Sequence, residues 1–314
     1  MVKIVLGRLA LAIPVLFIMT VLTFVLASLV PGNAATTILG DNATPQHIAQ
    51  LNAQLGFDKP LATQYWDWLR HLFQGNLGSS LYSGQQITRI IDDRFGPTLS
   101  IAVMATILSS VVGVSFGVYA AVRRGAAART LDVISLVGVS LPNYWVALLL
   151  ITLFTSNLHW LPAVGYTRPN QSVEDWIKHL IMPVIALSIA GVALIARQAR
   201  QAMAEALSRD FMRFMQANGI PRRRLIFTYG LRYSATPIIA AISTTFITHV
   251  GGTVVLESIY AIPGMGSLVA TATLNHDLSA IQGAVLVFTV VILGVNLLTD
   301  VVYAVLNPKV RARG

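Results

Sequence analysis

Six long stretches of this chain are almost free of charge, and they constrain its fold more than any other feature. They run approximately over Leu9–Val30, Leu99–Val122, Val133–Thr155, Leu180–Ala196, Ile238–Leu256 and Ile281–Leu306. Each approaches the roughly 20 apolar residues needed to cross a hydrocarbon core of ~30 Å. Lipid offers no partners to backbone N–H and C=O groups, so such stretches must satisfy them internally, as helices. The expected fold is an all-α membrane protein with six transmembrane helices. Only 11% of the residues are charged, against about 25% in soluble domains, which excludes an ordinary soluble fold. The first stretch is too long for the roughly 7–15-residue core of a cleaved signal, and it contains Pro14, so it reads as a retained span.

An even number of spans puts both termini on one side, and charge says which. With the N-terminus inside, 16 Lys and Arg lie on the inner side and six on the outer, while nine of the 13 acids lie outside. The inner side is then +12 and the outer side −3. That is the positive-inside pattern, so both termini are expected to be cytoplasmic. The net charge of +9 follows from topology and requires no nucleic acid.

Residues 31–98 would be an outer segment with helical content. Thr44 as N-cap, Pro45 behind it and Gly56 frame one helix. Leu61, Tyr65, Leu69, Leu72 and Phe73 mark a second, amphipathic one that closes at Gly75, with Trp66 and Trp68 suited to a membrane interface. Ile87, Ile90 and Ile91 suggest a third, surface-lying helix ending before Gly96-Pro97. The segment could serve as a lid over the bundle or as a docking platform. The expected layout is 1–30 (tail and first span), 31–98 (outer helical segment) and 99–314 (a five-helix core).

Residues 197–237 stand apart from the apolar runs. They hold eight of the chain's 22 Lys and Arg, opposed only by Glu205 and Asp210. Met203, Ala206, Leu207, Phe211, Phe214 and Met215 recur at helical spacing. Gly219 and Pro221 end that helix, since Gly accepts the left-handed position and Pro cannot continue. A second helical run begins near Arg222. So ordered a polar segment reads as a docking element that passes force into the membrane.

Catalytic signatures are missing. The chain has no G-x-x-x-x-G-K-[ST], no H-E-x-x-H and no cysteine, so no P-loop, zincin motif or thiol chemistry is available to it. Its six histidines show no metal-ligand spacing. His249 lies in the fifth span, where an ionisable group is a functional candidate; it either lines a pathway or is a neutral ring bonded to a facing helix. Asp300, near the inner end of the last span, reads as an interfacial anchor. Gly113 and Gly117 form a G-x-x-x-G that favours close packing within the bundle. Three functional classes compete. A secondary carrier should show buried charges or an internal repeat, and a membrane hydrolase a nucleophile–base pair. A transport subunit driven from outside needs only the docking segment, which is present.

The ordered set of short motifs resembles a family. It begins with Arg8-Leu9, Ile13-Pro14 and Leu29-Val30-Pro31-Gly32. It continues through Leu55-Gly56-Phe57-Asp58-Lys59-Pro60, Gln64-Tyr65, Gly75-Asn76-Leu77-Gly78-Ser79-Ser80 and Pro97-Thr98-Leu99. It ends with Glu257-Ser258-Ile259-Tyr260, Pro263-Gly264-Met265-Gly266, then Asn296, Asp300, Tyr303, Pro308 and Arg311. End to end, the chain resembles a permease subunit of a bacterial ATP-binding-cassette importer, of the dipeptide/oligopeptide/nickel branch. Asp210-Phe211, Arg213, Ala217, Gly219, Leu231-Arg232 and Pro237 match the branch's coupling loop. Arg213-Phe214-Met215 stands where the wider superfamily has Glu-Ala-Ala, Tyr233 where Asn is usual, and Asn76 where Asp is usual.

The resemblance implies a type I importer permease fold in the inner membrane. It implies a second homologous permease, two ATP-binding subunits and an extracytoplasmic solute-binding protein as partners. This chain would carry no cofactor and catalyse nothing; ATP and Mg would sit on the ATPases. Glu205, Asp210, Phe211, Arg213, Phe214, Ala217 and Gly219 would form the ATPase-coupling site. The cargo would be di- or oligopeptide, with a nickel chelate or another small solute as the alternative.

Overall fold

The computed structural model describes residues 2–30, 32, 34–123 and 125–306, and the regular structure among them is helical. In chain order the helices are α1 (Val2–Ser28), α2 (Ala34–Leu39), α3 (Pro45–Leu55), α4 (Leu61–Phe73), α5 (Ile87–Arg123), α6 (Ala126–Ser140) and α7 (Asn143–Leu150). α7 widens into π-type turns over Ile151–Asn157. Then come α8 (Val173–Ser208), α9 (Asp210–Ala217) and α10 (Arg222–Arg224). Wide turns over Leu225–Gly230 lead into α11 (Leu231–Ile259), followed by α12 (Met265–Leu274) and α13 (Leu278–Leu306).

Five helices are long and apolar enough to cross a membrane, or six if one bent pair counts as a single span. The bent pair replaces the straight helix expected over Val133–Thr155: Val133–Ser140 and Asn143–Asn157 meet at 89°. Pro142 is the cause. It has no N–H for the helix ladder, and it drives Leu141 to extended backbone, ψ 121°. The Pro142 carbonyl then accepts from Trp145 and Val146, which starts α7 afresh.

The chain divides into two compact units. The smaller comprises Leu6–Pro97 and Pro263–Gly294; the larger comprises Thr98–Ile262 with residues 2–5 and 295–306.

In the smaller unit α3 is framed as its sequence signals. Thr44 Oγ1 accepts from the His47 N–H, and Gly56 closes the helix at φ +73°. α4 grips α1 through Tyr65, whose hydroxyl is 2.9 Å from Thr20 Oγ1 and whose ring meets Phe17 and Phe24 edge-on. The expected surface helix before Gly96-Pro97 does not exist as a separate element: Ile87 opens α5, which runs on through Pro97. Ile87 is fully buried against Met265, Leu268, Ala280, Ile281 and Ala284, with Ile90, Ile91 and Phe95 beside it. That burial outweighs the one helical bond that proline removes. Asp277 caps α13 through the Ala280 N–H and accepts from Ser80 Oγ at 2.5 Å, which ties the 76–86 loop down.

In the larger unit α5, α7, α8 and α11 share a core of Ile101, Ala105, Val146, Ala147, Leu180, Leu187, Leu256 and Tyr260. The G-x-x-x-G of α5 faces α8. A Cβ at Gly113 would stand 2.9 Å from Ile195 Cβ, and one at Gly117 would stand 2.7 Å from Ala199 Cβ. Hydrocarbon provides no hydrophobic drive for helix association, so this close approach of backbones does the work of holding the pair. Gly117→Val should force α5 off α8, at a cost of about 1–3 kcal/mol. Thermal unfolding of the detergent-purified protein should therefore show a lowered midpoint; an unchanged midpoint would contradict this packing.

Candidate functional site

The helix expected to run up to Gly219 folds as two pieces. α8 ends at Ser208, Arg209 is extended (ψ 145°), and α9 restarts at Asp210. The reason is local. Ser208 Oγ donates to the Glu205 carbonyl at 2.8 Å, competing with the helix ladder. Arg209 leaves the helix for two partners, its guanidinium pairing with the Glu205 carboxylate and lying 5.7 Å from the centre of the Tyr233 ring. The Glu205 bond, ahead of the neighbouring Tyr233, raises Arg209 above the usual arginine pKa.

α9 is anchored along one edge only. Met212 is buried, and the Phe211 ring packs on Tyr233 with centroids 5.6 Å apart. A small apolar cluster of Val118, Ala121, Met203 and Ile226, with Leu207 and Leu231 alongside, joins α5, α8 and the turns before α11. The rest of the helix projects: Phe214 is 71% exposed, a large aromatic left facing outward. Asp210, Arg213 and Ala217 share the exposed surface, with Arg213 and Asp210 at 3.9 Å. Gly219 ends the element at φ +79°, and a side chain there would meet open space, so only the backbone conformation demands glycine. Beyond it, Arg222 reaches back to donate to the Val122 carbonyl at 3.4 Å, fastening α10 to the end of α5.

Of the seven coupling residues named from the sequence, the fold thus uses two as fasteners: Glu205 binds Arg209, and Phe211 binds Tyr233. Asp210, Arg213, Phe214 and Ala217 are presented to the surroundings, and Gly219 shapes the turn. The fasteners Arg209 and Tyr233 were missed as site residues; the i, i+4 spacing of Glu205 and Arg209 was the signal available. His249 lies elsewhere, in the middle of α11, 3% exposed and 2.9 Å from Thr106 of α5. A further cavity at the foot of α11 is lined by Glu205, Arg232, Ser234 and Thr236.

This architecture and this segment have counterparts. Residues 113–312 match the family described as "Binding-protein-dependent transport system inner membrane component", and residues 1–102 match its N-terminal companion. The chain belongs to that family. "Probable peptide ABC transporter permease protein y4tP" of Sinorhizobium fredii is 37% identical, with 98% of each chain covered. "Glutathione transport system permease protein GsiC" of Salmonella typhimurium is 34% identical over 99% of each. Among solved structures, a chain from the inward-facing MetNI methionine ABC transporter superposes with a TM-score of 0.58. It covers 70% of this chain and 97% of its own at 15% identity, a likeness of fold alone. As a binding-protein-dependent inner-membrane component, the chain is a multi-pass transport subunit of the bacterial cytoplasmic membrane. Membership implies ATP-binding and solute-binding partners.

Gly219→Val would place a β-branched residue in the left-handed region at a cost of about 1–2 kcal/mol. The expected result is faster amide exchange confined to residues 210–219, with the global unfolding midpoint unchanged. Exchange as slow as in the original protein would show that the turn tolerates a side chain.

Proposed function

We propose that this chain is one membrane-spanning half of an ATP-driven importer that carries di- or oligopeptides delivered by a solute-binding protein. In this reading the bent pair counts as one span, so six spans place both termini in the cytoplasm with α9 on the same side. The assembly contains a second, homologous permease and two ATPases, which hold the ATP and Mg. This chain itself performs no catalysis. Peptide is favoured as cargo because relatives of this chain include ones named for peptide and one named for glutathione, itself a tripeptide.

The observation that carries the coupling role is Phe214. α9 is held by Met212 and by the Phe211–Tyr233 ring contact, yet Phe214 is 71% exposed and Phe211, three residues before it on the same helix face, is exposed as well. Exposed aromatics of this kind anchor interfaces, and Arg213 beside it can supply a charged contact. α9 therefore inserts into a groove on a cytoplasmic ATPase. Glu205–Arg209–Tyr233 keeps α9 rigid against α8 and α11, so ATPase closure moves both helices. The pore then alternates between inner and outer openings.

Phe214→Asp tests this reading directly. The variant should insert and fold normally, yet fail to hold the ATPases through detergent extraction when co-expressed with its genomic neighbours, and ATP-dependent peptide uptake in vesicles should fall to background. Retention of the ATPases with normal uptake would refute the coupling role. Uptake of a nickel chelate in place of peptide would keep the coupling role and replace the cargo.

A further inference from the structure

Between apolar helices every buried polar side chain needs a reason, and α5 and α11 share two matched pairs. Glu257 in α11 has no exposed surface, and Thr98 in α5 is 3% exposed. Thr98 Oγ1 donates to Glu257 Oε1 at 2.6 Å. Eight residues on along α5 stands Thr106; eight residues back along α11 stands His249; their Oγ1 and Nδ1 atoms are 2.9 Å apart. The Thr106 hydroxyl also lies 2.7 Å from the Ala102 carbonyl of its own helix. Equal steps in opposite chain directions place the two helices antiparallel in one register, with polar rungs about 12 Å apart. Midway, Ala102 and Thr253 are both fully buried.

A third helix is pressed into the same seam. Ser109 of α5 donates to the Ser188 carbonyl of α8 at 3.1 Å. A Cβ added at Gly191 of α8 would lie 2.6 Å from Ser109 Oγ and 2.8 Å from His249 Nε2. At its far end α11 is fastened too. The Tyr260 hydroxyl donates to the Ala147 carbonyl of α7, the Tyr260 carbonyl accepts from the Gly165 N–H at 2.8 Å, and the Glu257 carbonyl accepts from the Ile262 N–H.

Apolar side chains slide past one another in hydrocarbon at little cost. A hydrogen-bonded rung does not, because a shift by one turn strands a buried carboxyl and a buried imidazole together. We propose that Thr98–Glu257 and Thr106–His249 are a register lock. They act as positioning residues that make α5 and α11 move as one rigid pair, so that displacement of the segment before α11 reaches the Tyr260 turn and is not absorbed by slippage. The proposal rests on the importer reading above.

The test uses the whole complex with its ATP-binding and solute-binding partners in vesicles, reading ATP hydrolysis and peptide uptake together. With Thr98→Val and Thr106→Val combined, hydrolysis should persist while uptake per ATP falls about tenfold. Thr98→Ser with Thr106→Ser keeps both hydroxyls and should restore the ratio. An unchanged ratio in the valine pair, or equal impairment in the serine pair, overturns the lock. Spin labels decide the case without breaking a rung. The chain has no cysteine, so labels go only to Val103→Cys on α5 and Val255→Cys on α11, both exposed. Their distance should be the same in nucleotide-free and ATP-trapped complexes; a change of several ångströms overturns the lock even if the valine pair fails to assemble. Absent uptake by the unsubstituted complex would instead sink the importer reading, and the lock with it.

Discussion

A backbone amide surrounded by hydrocarbon has no water to turn to, and the rest of this structure follows from that constraint. The long apolar stretches must coil so that each N–H finds its carbonyl within the stretch. Once coiled, they gain nothing from excluding water between them, because lipid tails are as apolar as leucine. What holds α5 to α8 is close approach, which requires Gly113 and Gly117 opposite Ile195 and Ala199. What joins α5 to α11 includes the side-chain hydrogen bonds Thr98–Glu257 and Thr106–His249.

The same constraint sorts polarity along the chain. Arg and Lys collect at the ends of the apolar helices, and the richest collection lies between α8 and α11. There the competition changes character. Ser208, Arg209 and Asp210 can bond locally, and they break the helix instead of extending it. The break sets α9 so that Met212 is buried, Phe211 rests against Tyr233 while staying partly exposed, and Phe214 faces out. A continuous helix through the same residues would have carried those aromatics in a different direction. The exposed face of α9 thus depends on a one-residue interruption at Arg209 and on the Glu205–Arg209–Tyr233 fastening that stabilises it.

α11 runs from the wide turns after α10 to the turn at Tyr260, and it is unusually polar for a helix in an apolar bundle. Thr245, His249, Thr253 and Glu257 are all buried along it. Each is hydrogen-bonded or packed against a small residue of α5 or α8. Such a seam gives up favourable apolar packing in return for a defined register, the best-attested use of buried polar groups. In the importer proposed above, that exchange would serve the transmission of movement.

The sequence by itself determined that the chain is helical, that it lies in a membrane, and which segment projects from it, because those follow from local facts: apolar run length, charge placement, and the Gly219 and Pro221 stops. It also marked the caps at Thr44 and Gly56 and the close packing at Gly113 and Gly117. Only the tertiary structure decided where helices bend or continue. Pro142 breaks one span while Pro97 does not interrupt another, and the difference is what each flanking turn can bury: Ile87 and its neighbours find a pocket of Met265, Leu268 and Ile281. The structure likewise drew Glu257 out of the outer charge count and into the core. Its partner Thr98 is 159 residues away. No periodicity or spacing along a chain can report that two polar groups so far apart will meet, because the meeting is set by how whole helices pack.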